Sequence, residues 1–426
     1  MDRWNSQGRV DQQDVLAASG AGAGAGGRPA VATHARVAEA TKLPARLRDV
    51  LCLNDFASVA KRRLPAAMYA YVSGWSEDGA AHRRNLRGFE TRAFLPRVLV
   101  DIERRDLRTT LFGVEYASPF GIAPMGFSRM AAAHADEVLA RAAAHAGVPF
   151  ILSGASLTPL EVVRAAGPAS WFQAYLPGDQ ARIDPMLDRV AKAGFDTLVI
   201  NVDTAVHGQH EHAEKQGFRS PVKPSAQLAW QALSRPSWCW RVLGASLLTN
   251  RPLRFENMDA VAGPPVFSRT LVRDIGRRGA LSWAHIDHIR RRWAGRLVLK
   301  GVLSAEDAVV AERAGVDGII VSNHGGRQVD CAIGSLDALD AIAARVDTLV
   351  LMYDGGVRRG SDVLKAIRCG ARFVFVGRPF LMACAAADAA GVAHALAMLK
   401  REVSTNMGLL GINRIDEVRN LELLRD

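Results

Sequence analysis

Glu312-Arg-Ala-Gly-Val-Asp-Gly-Ile-Ile-Val-Ser-Asn-His324 is the stretch that decides the fold. A helical pattern ends at Gly315, the residue type that most easily takes the left-handed conformation past a helix C-terminus. The apolar run to Val321 suits a strand covered on both faces, and polar residues follow it at once. Further copies of the unit read Ala144-His-Ala-Gly147 before Val148-Pro-Phe-Ile-Leu152, Ala191-Lys-Ala-Gly194 before Phe195-Asp-Thr-Leu-Val-Ile200, and Ile367-Arg-Cys-Gly370 before Ala371-Arg-Phe-Val-Phe-Val376. Helix and strand alternating at this spacing predict an α/β fold with a parallel sheet.

Outward from these copies, apolar runs end near Ala123, Ser153, Tyr175, Val202, Lys300, Ser322, Tyr353 and Val376, eight in all. Eight strands close a (β/α)8 TIM barrel, although an open doubly wound sheet gives a similar pattern. Directly after the runs stand Pro124-Met-Gly126, Ser153-Gly154, Gln173 with Tyr175, Asn201 with Asp203, Lys300, Ser322-Asn-His324, Asp354-Gly-Gly356 and Gly377-Arg378. In a barrel these positions converge on the C-terminal face, where active sites form.

The 426 residues, 49% hydrophobic and 23% charged, suffice for one such barrel with extensions. Residues 1–45 include Ala18-Ser-Gly-Ala-Gly-Ala-Gly-Ala-Gly-Gly27, which cannot bury a core, and read as a disordered arm. Residues 46–426 read as the barrel domain. Its N-terminal helical extension is expected near Leu53, with Asn54 or Asp55 capping one helix that runs through Lys61 to Tyr71. After strand four the repeat is interrupted over 204–282, a stretch expected to be structureless and to serve as a lid or a membrane contact. It carries Trp230, Trp238 and Trp240 among Arg235, Arg241, Arg251 and Arg254, a mixture found in interfacial helices. A lid packed on a neighbouring subunit would use the same residues.

A net charge of +11 suits an anionic partner such as phosphate, an acidic substrate or lipid headgroups, or simply a basic soluble surface. The basic residues are dispersed without zinc-finger or RNP spacing, which argues against nucleic acid. Cys52, Cys239, Cys331, Cys369 and Cys384 are scattered, with no metal-ligand spacing. With no signal-peptide pattern, they are expected to be reduced thiols in a cytoplasmic setting. No apolar run reaches the ~18 residues of a bilayer span.

Chemistry concentrates in two segments. In Ser322-Asn-His-Gly-Gly-Arg-Gln328, His324 offers a base near neutral pH and Arg327 a fork for a carboxylate, on a turn whose glycines let a ligand approach. A histidine alone is more often structural; this one stands at a barrel mouth beside Gly-Gly-Arg. Asp354-Gly-Gly-Val-Arg-Arg-Gly360 followed by Val374-Phe-Val-Gly-Arg378 looks like a phosphate grip after strands seven and eight, a device many barrels share.

These two segments, with Leu64-Pro-Ala-Ala-Met-Tyr-Ala-Tyr71, Trp171-Phe-Gln-Ala-Tyr175 and Leu299-Lys-Gly-Val302, resemble the FMN-dependent 2-hydroxy-acid oxidases and dehydrogenases over about Phe56 to Leu410. Leu303-Ser-Ala-Glu-Asp-Ala308 and Asp330-Cys-Ala-Ile333 are similar to the mandelate and L-lactate dehydrogenase branch. The resemblance implies FMN as cofactor and oxidation of an L-2-hydroxy acid to the 2-oxo acid. His324 would take a proton from the 2-hydroxyl or the α-carbon, and Asp203 would stabilise the imidazolium. Lys300 would face the flavin edge where negative charge develops. Gln173 and Ser153 would hydrogen-bond the flavin ring; Pro124, Met125, Gly126 and Asn201 would wall it, with Ser322 alongside. Asp354, Gly355, Gly356, Arg358, Gly377 and Arg378 would hold ribityl and phosphate. Tyr71, Tyr175 and Arg327 would bind the substrate.

One departure concerns the substrate. Members of the family carry a second carboxylate-binding Arg after strand four, where Asp203-Thr-Ala-Val-His-Gly-Gln-His-Glu211 places His210. A histidine can carry charge at mildly acidic pH but supplies no bidentate fork. Asn201 and Met125 replace the threonines common there, and both still suit a flavin wall. The resemblance also implies a homo-oligomer, a tetramer, and attachment of the insertion to the inner face of the cell membrane. Electrons would pass to a quinone or another acceptor. A flavin-free phosphate-binding barrel and a flavoprotein without turnover are the rival readings.

Overall fold

Each of the eight apolar runs is a strand: β1 Phe120–Ile122, β2 Ile151–Ser153, β3 Trp171–Ala174, β4 Thr197–Asn201, β5 Arg296–Val302, β6 Gly318–Val321, β7 Val350–Asp354 and β8 Phe373–Val376. The computed structural model describes residues 43–219, 222–248, 251–268 and 277–425. The strands are parallel, in the order β1-β8-β7-β6-β5-β4-β3-β2. A parallel bridge between Ile122 and Phe150, with the Ile122 N–H donating to the Pro149 carbonyl at 2.9 Å, joins the two edges. The sheet is therefore a barrel and not an open doubly wound layer.

Large side chains fill the lumen: Trp171, Phe373 and Phe375, with Val199, Val298, Ile320 and Met352. A hairpin of Thr109–Leu111 and Val114–Tyr116 closes the N-terminal face, and its Leu111 and Tyr116 join the same cluster. A lumen packed from below leaves its C-terminal end open to a ligand. The glycines that end the repeated helices, Gly147, Gly194, Gly315 and Gly370, have φ of 65°, 85°, 71° and 118°, as expected of left-handed helix ends.

The N-terminal extension differs from expectation in two ways. Described structure already begins at Leu43, and Leu47 and Val50 are buried in the core. The predicted arm otherwise lies outside the described residues. The single helix through Lys61 to Tyr71 is two, α1 Asp55–Arg63 and α2 Ala66–Ser73. Pro65 has no N–H to continue the ladder and pushes Leu64 to an extended ψ of 146°. Asn54 makes no side-chain cap; the Asp55 carboxylate instead accepts from the N–H groups of Leu51 and Cys52, each at 2.9 Å. A third helix, α3 Ala80–Glu90, completes the extension.

The 204–282 insertion is not structureless. It holds helices Glu211–Lys215, Ala226–Leu233, Pro236–Trp238 and Ala245–Leu248, and a π-helix over Cys239–Gly244. Of its three tryptophans, Trp238 is buried and donates its indole N–H to the Met130 carbonyl at 2.8 Å. Trp230 and Trp240 are exposed. After β8 the helix Arg378–Leu410 is long and apolar enough to cross a membrane, but 67% of its most apolar window is buried inside the protein. Asp388, with φ of 47°, breaks it in two, and its carboxylate pairs with Arg241 of the insertion.

Candidate active site

At the C-terminal mouth of the barrel one cavity is lined by residues from both chemistry-bearing segments and from the N-terminal extension. Tyr71, Pro124, Met125, Gly126, Gln173, Tyr175, Asn201, Lys300, His324 and Arg327 line it, together with Asp354, Gly355, Gly356, Arg358, Gly377 and Arg378. Four expected site residues, Ser153, Asp203, His210 and Ser322, do not line it. Three of these stand directly behind residues that do.

Asp203 is the first. His324 Nδ1 lies 3.0 Å from Asp203 Oδ1 and 3.3 Å from Oδ2. Burial pushes the Asp203 carboxyl up, but His324, Lys300 and the Asn201 amide outweigh it and hold it below the usual carboxylate range. An ionised carboxylate can only accept, so Nδ1 carries the proton that faces Asp203, and in the neutral ring this leaves the lone pair on Nε2. Two backbone features make this meeting possible. A β-bulge between Lys300 and Val302 puts Gly301 at φ 105°, where a Cβ would stand 2.5 Å from Asp203 Cγ. His324 itself has φ 58°, a left-handed position that a non-glycine residue rarely takes, followed by Gly325 and Gly326 at 68° and 75°.

Ser322 and Ser153 play supporting parts. Ser322 Oγ accepts from Lys300 Nζ at 3.1 Å and from the His324 N–H at 3.0 Å, so one hydroxyl orients both. Ser153 donates to Gln173 Oε1 at 3.1 Å. Lys300 is buried and pairs with Asp354 at 2.9 Å. Burial alone would lower its pKa, yet Asp354 and Asp203 raise it above the usual lysine value, so it stays an ammonium.

His210 does not border the cavity, and its Nε2 donates to the Arg327 carbonyl at 2.7 Å. Burial first, then the Arg327 charge, pull its pKa to about 4. At neutral and mildly acidic pH it is uncharged, so it offers a carboxylate neither a fork nor a cation. Arg327, by contrast, lines the cavity, donates to the carbonyls of Tyr71 (2.8 Å) and Gly74 (2.9 Å), and stands 4.9 Å from the centre of the Tyr71 ring.

Arg378 lines the same cavity close to Arg327, donating to the same Gly74 carbonyl at 3.3 Å. Burial, together with Arg358 and Arg327, lowers the Arg378 guanidinium well below its usual value, and burial also lowers Arg358. Desolvated cations that disfavour one another are stabilised by an anion between them. Gly377 and Arg378 also begin the long helix, whose first N–H groups favour negative charge.

Two orphaned atoms test whether a flavin suits this cavity. Gln173 Nε2 and Asn201 Oδ1 are buried without a hydrogen-bond partner, on two residues that line it. One is a donor and the other an acceptor, which complements the carbonyls and the N3–H of a flavin pyrimidine ring. With the Lys300 ammonium and the Arg358 and Arg378 guanidinium groups lining the same cavity, the donor set fits FMN.

Sequence reading missed a layer beneath the His324 turn. Asn85 of α3 and Asn323 exchange amide hydrogen bonds of 2.7 and 2.9 Å, both nearly fully buried. His82 Nδ1 lies 3.3 Å from Arg378 Nη2; burial and then Arg378 and Arg358 drive its pKa to about 3. Nothing local marks either residue, since both sit on an amphipathic helix hundreds of positions from their partners. Among the described residues no group of three or more His, Cys, Asp or Glu could hold a metal ion.

Known proteins resemble this chain in sequence and in fold. A family model described as FMN-dependent dehydrogenase matches residues 60–425. An L-lactate dehydrogenase of Caulobacter sp. (strain K31) is 38% identical over 368 residues, 85% of this chain and 96% of that one. An L-lactate dehydrogenase of Pseudomonas aeruginosa (strain LESB58) is 36% identical over 376 residues, 87% and 97% of the two chains. Among solved structures, the monotopic membrane protein (S)-mandelate dehydrogenase superposes with a TM-score of 0.77 at 30% identity, covering 88% of this chain and 100% of its own. Mandelate oxidase with (S)-2-phenylpropionate gives 0.74 at 30% identity, covering 88% and 98%.

Proposed function

The chain belongs to the FMN-dependent dehydrogenase family and is an FMN-dependent 2-hydroxy-acid oxidoreductase; from that premise we propose how its residues divide the work. His324 is the base. Its Nε2 takes a proton from the substrate, from the 2-hydroxyl or the α-carbon, and the resulting imidazolium is stabilised by Asp203 at 3.0 Å. Bound FMN supplies the acceptor for the two electrons that leave the substrate. Lys300 places a fixed positive charge where negative charge then develops, and Asp354 and Ser322 keep it there.

Arg327 holds the substrate carboxylate, with Tyr71 and Tyr175 hydrogen-bonding beside it. Gln173 and Asn201 bind the flavin ring edge, and Ser153 fixes the Gln173 amide. Pro124, Met125 and Gly126 form the wall. Asp354 takes the ribityl chain, and Gly355, Gly356, Arg358, Gly377 and Arg378 take the phosphate. The single observation that carries this reading is the His324–Asp203 pair set on a cavity with an orphaned donor, an orphaned acceptor and a buried ammonium.

The substrate in this reading is an L-2-hydroxy acid of the lactate or mandelate type, since relatives of both kinds resemble this chain. An intact base pair favours turnover with an altered carboxylate site over a flavoprotein that has lost it. Anaerobic addition of lactate, mandelate and longer 2-hydroxy acids to the FMN-loaded protein tests this. Bleaching of the flavin by at least one of them is expected, and no bleaching by any would sink the reading.

The reading extends to a membrane. Trp230, Leu233, Trp240, Leu247 and Leu248 of the insertion are exposed, and the chain carries a net charge of +11. Exposed aromatic and aliphatic residues on a basic protein suit a peripheral site on an anionic lipid surface, from which a quinone is the accessible electron acceptor. Protein that stays in the supernatant when anionic liposomes are pelleted would contradict it. A homo-tetramer belongs to the same reading and is measured by the mass of the protein in solution.

A further inference from the structure

Tyr175 borders the catalytic cavity on one side and a second cavity on the other, and the two cavities also share Asn201. Arg278, at the end of the insertion, lines the second cavity. Its guanidinium carbon stands 4.8 Å from the centre of the Tyr175 ring, and the residue is only 6% exposed. This placement is built into the backbone. The Gly178 N–H donates to the Arg277 carbonyl at 2.9 Å, and a Cβ on Gly178 would stand 2.5 Å from the Ala280 carbonyl carbon. Only a glycine there lets the Arg277–Ala280 segment settle against the loop that carries Tyr175.

Arg327 lines the cavity but shares its guanidinium with two backbone carbonyls, and Arg378 donates to one of these, that of Gly74. His210 is neutral, turned onto the Arg327 carbonyl and away from the cavity. A carboxylate held there by Tyr175 would meet Arg278 across the thickness of one aromatic ring. In a desolvated setting a cation over a phenol face draws electron density from the ring and makes its O–H a stronger donor. The charge also attracts the carboxylate directly through low-dielectric material.

We propose that Arg278 is a positioning residue for the substrate carboxylate, acting through the Tyr175 ring and supplying a positive charge that His210 does not. This role rests on the reading of the cavity as the 2-hydroxy-acid site. Arg278 lines the second cavity and not the catalytic one, so its removal should weaken carboxylate binding and leave the proton-transfer step almost intact.

The test uses the FMN-loaded protein with Arg278→Met, which keeps length and apolar packing, and with Arg278→Met combined with His210→Arg. Two quantities are read: KM and kcat for the best 2-hydroxy acid, and the Kd of oxalate from the change in flavin absorbance. Arg278→Met is expected to raise both KM and the oxalate Kd roughly tenfold, with kcat changed less than about threefold. His210→Arg places a guanidinium beside Arg327 and is expected to recover most of that loss. Should Arg278→Met fail to retain FMN, Arg278→Gln removes the charge with a planar polar group and gives the same readout. Unchanged KM and oxalate Kd, in a wild type that binds oxalate and oxidises a 2-hydroxy acid, would overturn the role of Arg278 alone. So would a joint loss of kcat and KM that His210→Arg does not repair, because that is the mark of a structural residue.

Discussion

Asp203 reaches His324 through space that any side chain at position 301 would fill. Gly301→Ala therefore has a specific expected result. The Asp203 carboxylate shifts, His324 loses its orientation, and kcat falls on the order of 100-fold, while bound FMN is retained. An unchanged kcat would mean that the pair is not needed. The histidines away from the reaction make a second prediction. His82 and His210 have folded pKa values of about 3 and about 4, below the ~6.5 of an unfolded chain. Between those limits the unfolded chain binds more protons, so their contribution is fully present above pH ~6.5 and is lost as pH falls toward 4. The Tm should drop between pH 7 and pH 5, and drop less in His82→Asn/His210→Asn; equal drops would contradict the sign. At this scale the sequence shows residues that occupy strand ends. His324, Lys300, Gln173 and Arg378 were legible because barrel geometry fixes where a strand end points. The side His210 faces was not legible, because it depends on a hydrogen bond to a carbonyl 117 positions away.

Elements explain which expectations survived. The glycine-ended helices and two-sided apolar strands were readable because each depends on local conformation and burial alone. The N-terminal run reads as one helix although Pro65 stands in it, since Ala66 to Ser73 resumes a helical pattern immediately. The insertion was expected to lack structure, but its short helices draw stability from a few anchors that no periodicity announces. Trp238 is such an anchor, whereas Trp230 and Trp240 face solvent. The three tryptophans should accordingly separate by experiment. Trp238→Ala should destabilise the protein by about 3–5 kcal/mol, the usual range for removing a buried Trp. Trp230→Ser/Trp240→Ser should leave the Tm nearly unchanged and weaken binding to anionic liposomes. If the double variant binds liposomes as the wild type does, the insertion is not the lipid contact.

The described residues form a barrel sealed below by its lumen and hairpin and furnished above by loops, an arrangement that sets base and phosphate grip on one face. Counting eight strands made the fold legible, although it is the bridge between Ile122 and Phe150, not the count, that distinguishes closure from an open sheet. The N-terminal extension contributes Tyr71, His82 and Asn85 to the site, a contribution the repeat pattern could not announce. The account depends most on His324 acting as base beside an ionised Asp203. Anaerobic single-turnover reduction of bound FMN, followed by its absorbance with a saturating 2-hydroxy acid, compares the wild type with His324→Asn. The variant is expected to hold FMN normally and to bleach on the order of 100- to 10,000-fold more slowly, the range for losing a general base. Bleaching at the wild-type rate would contradict the account.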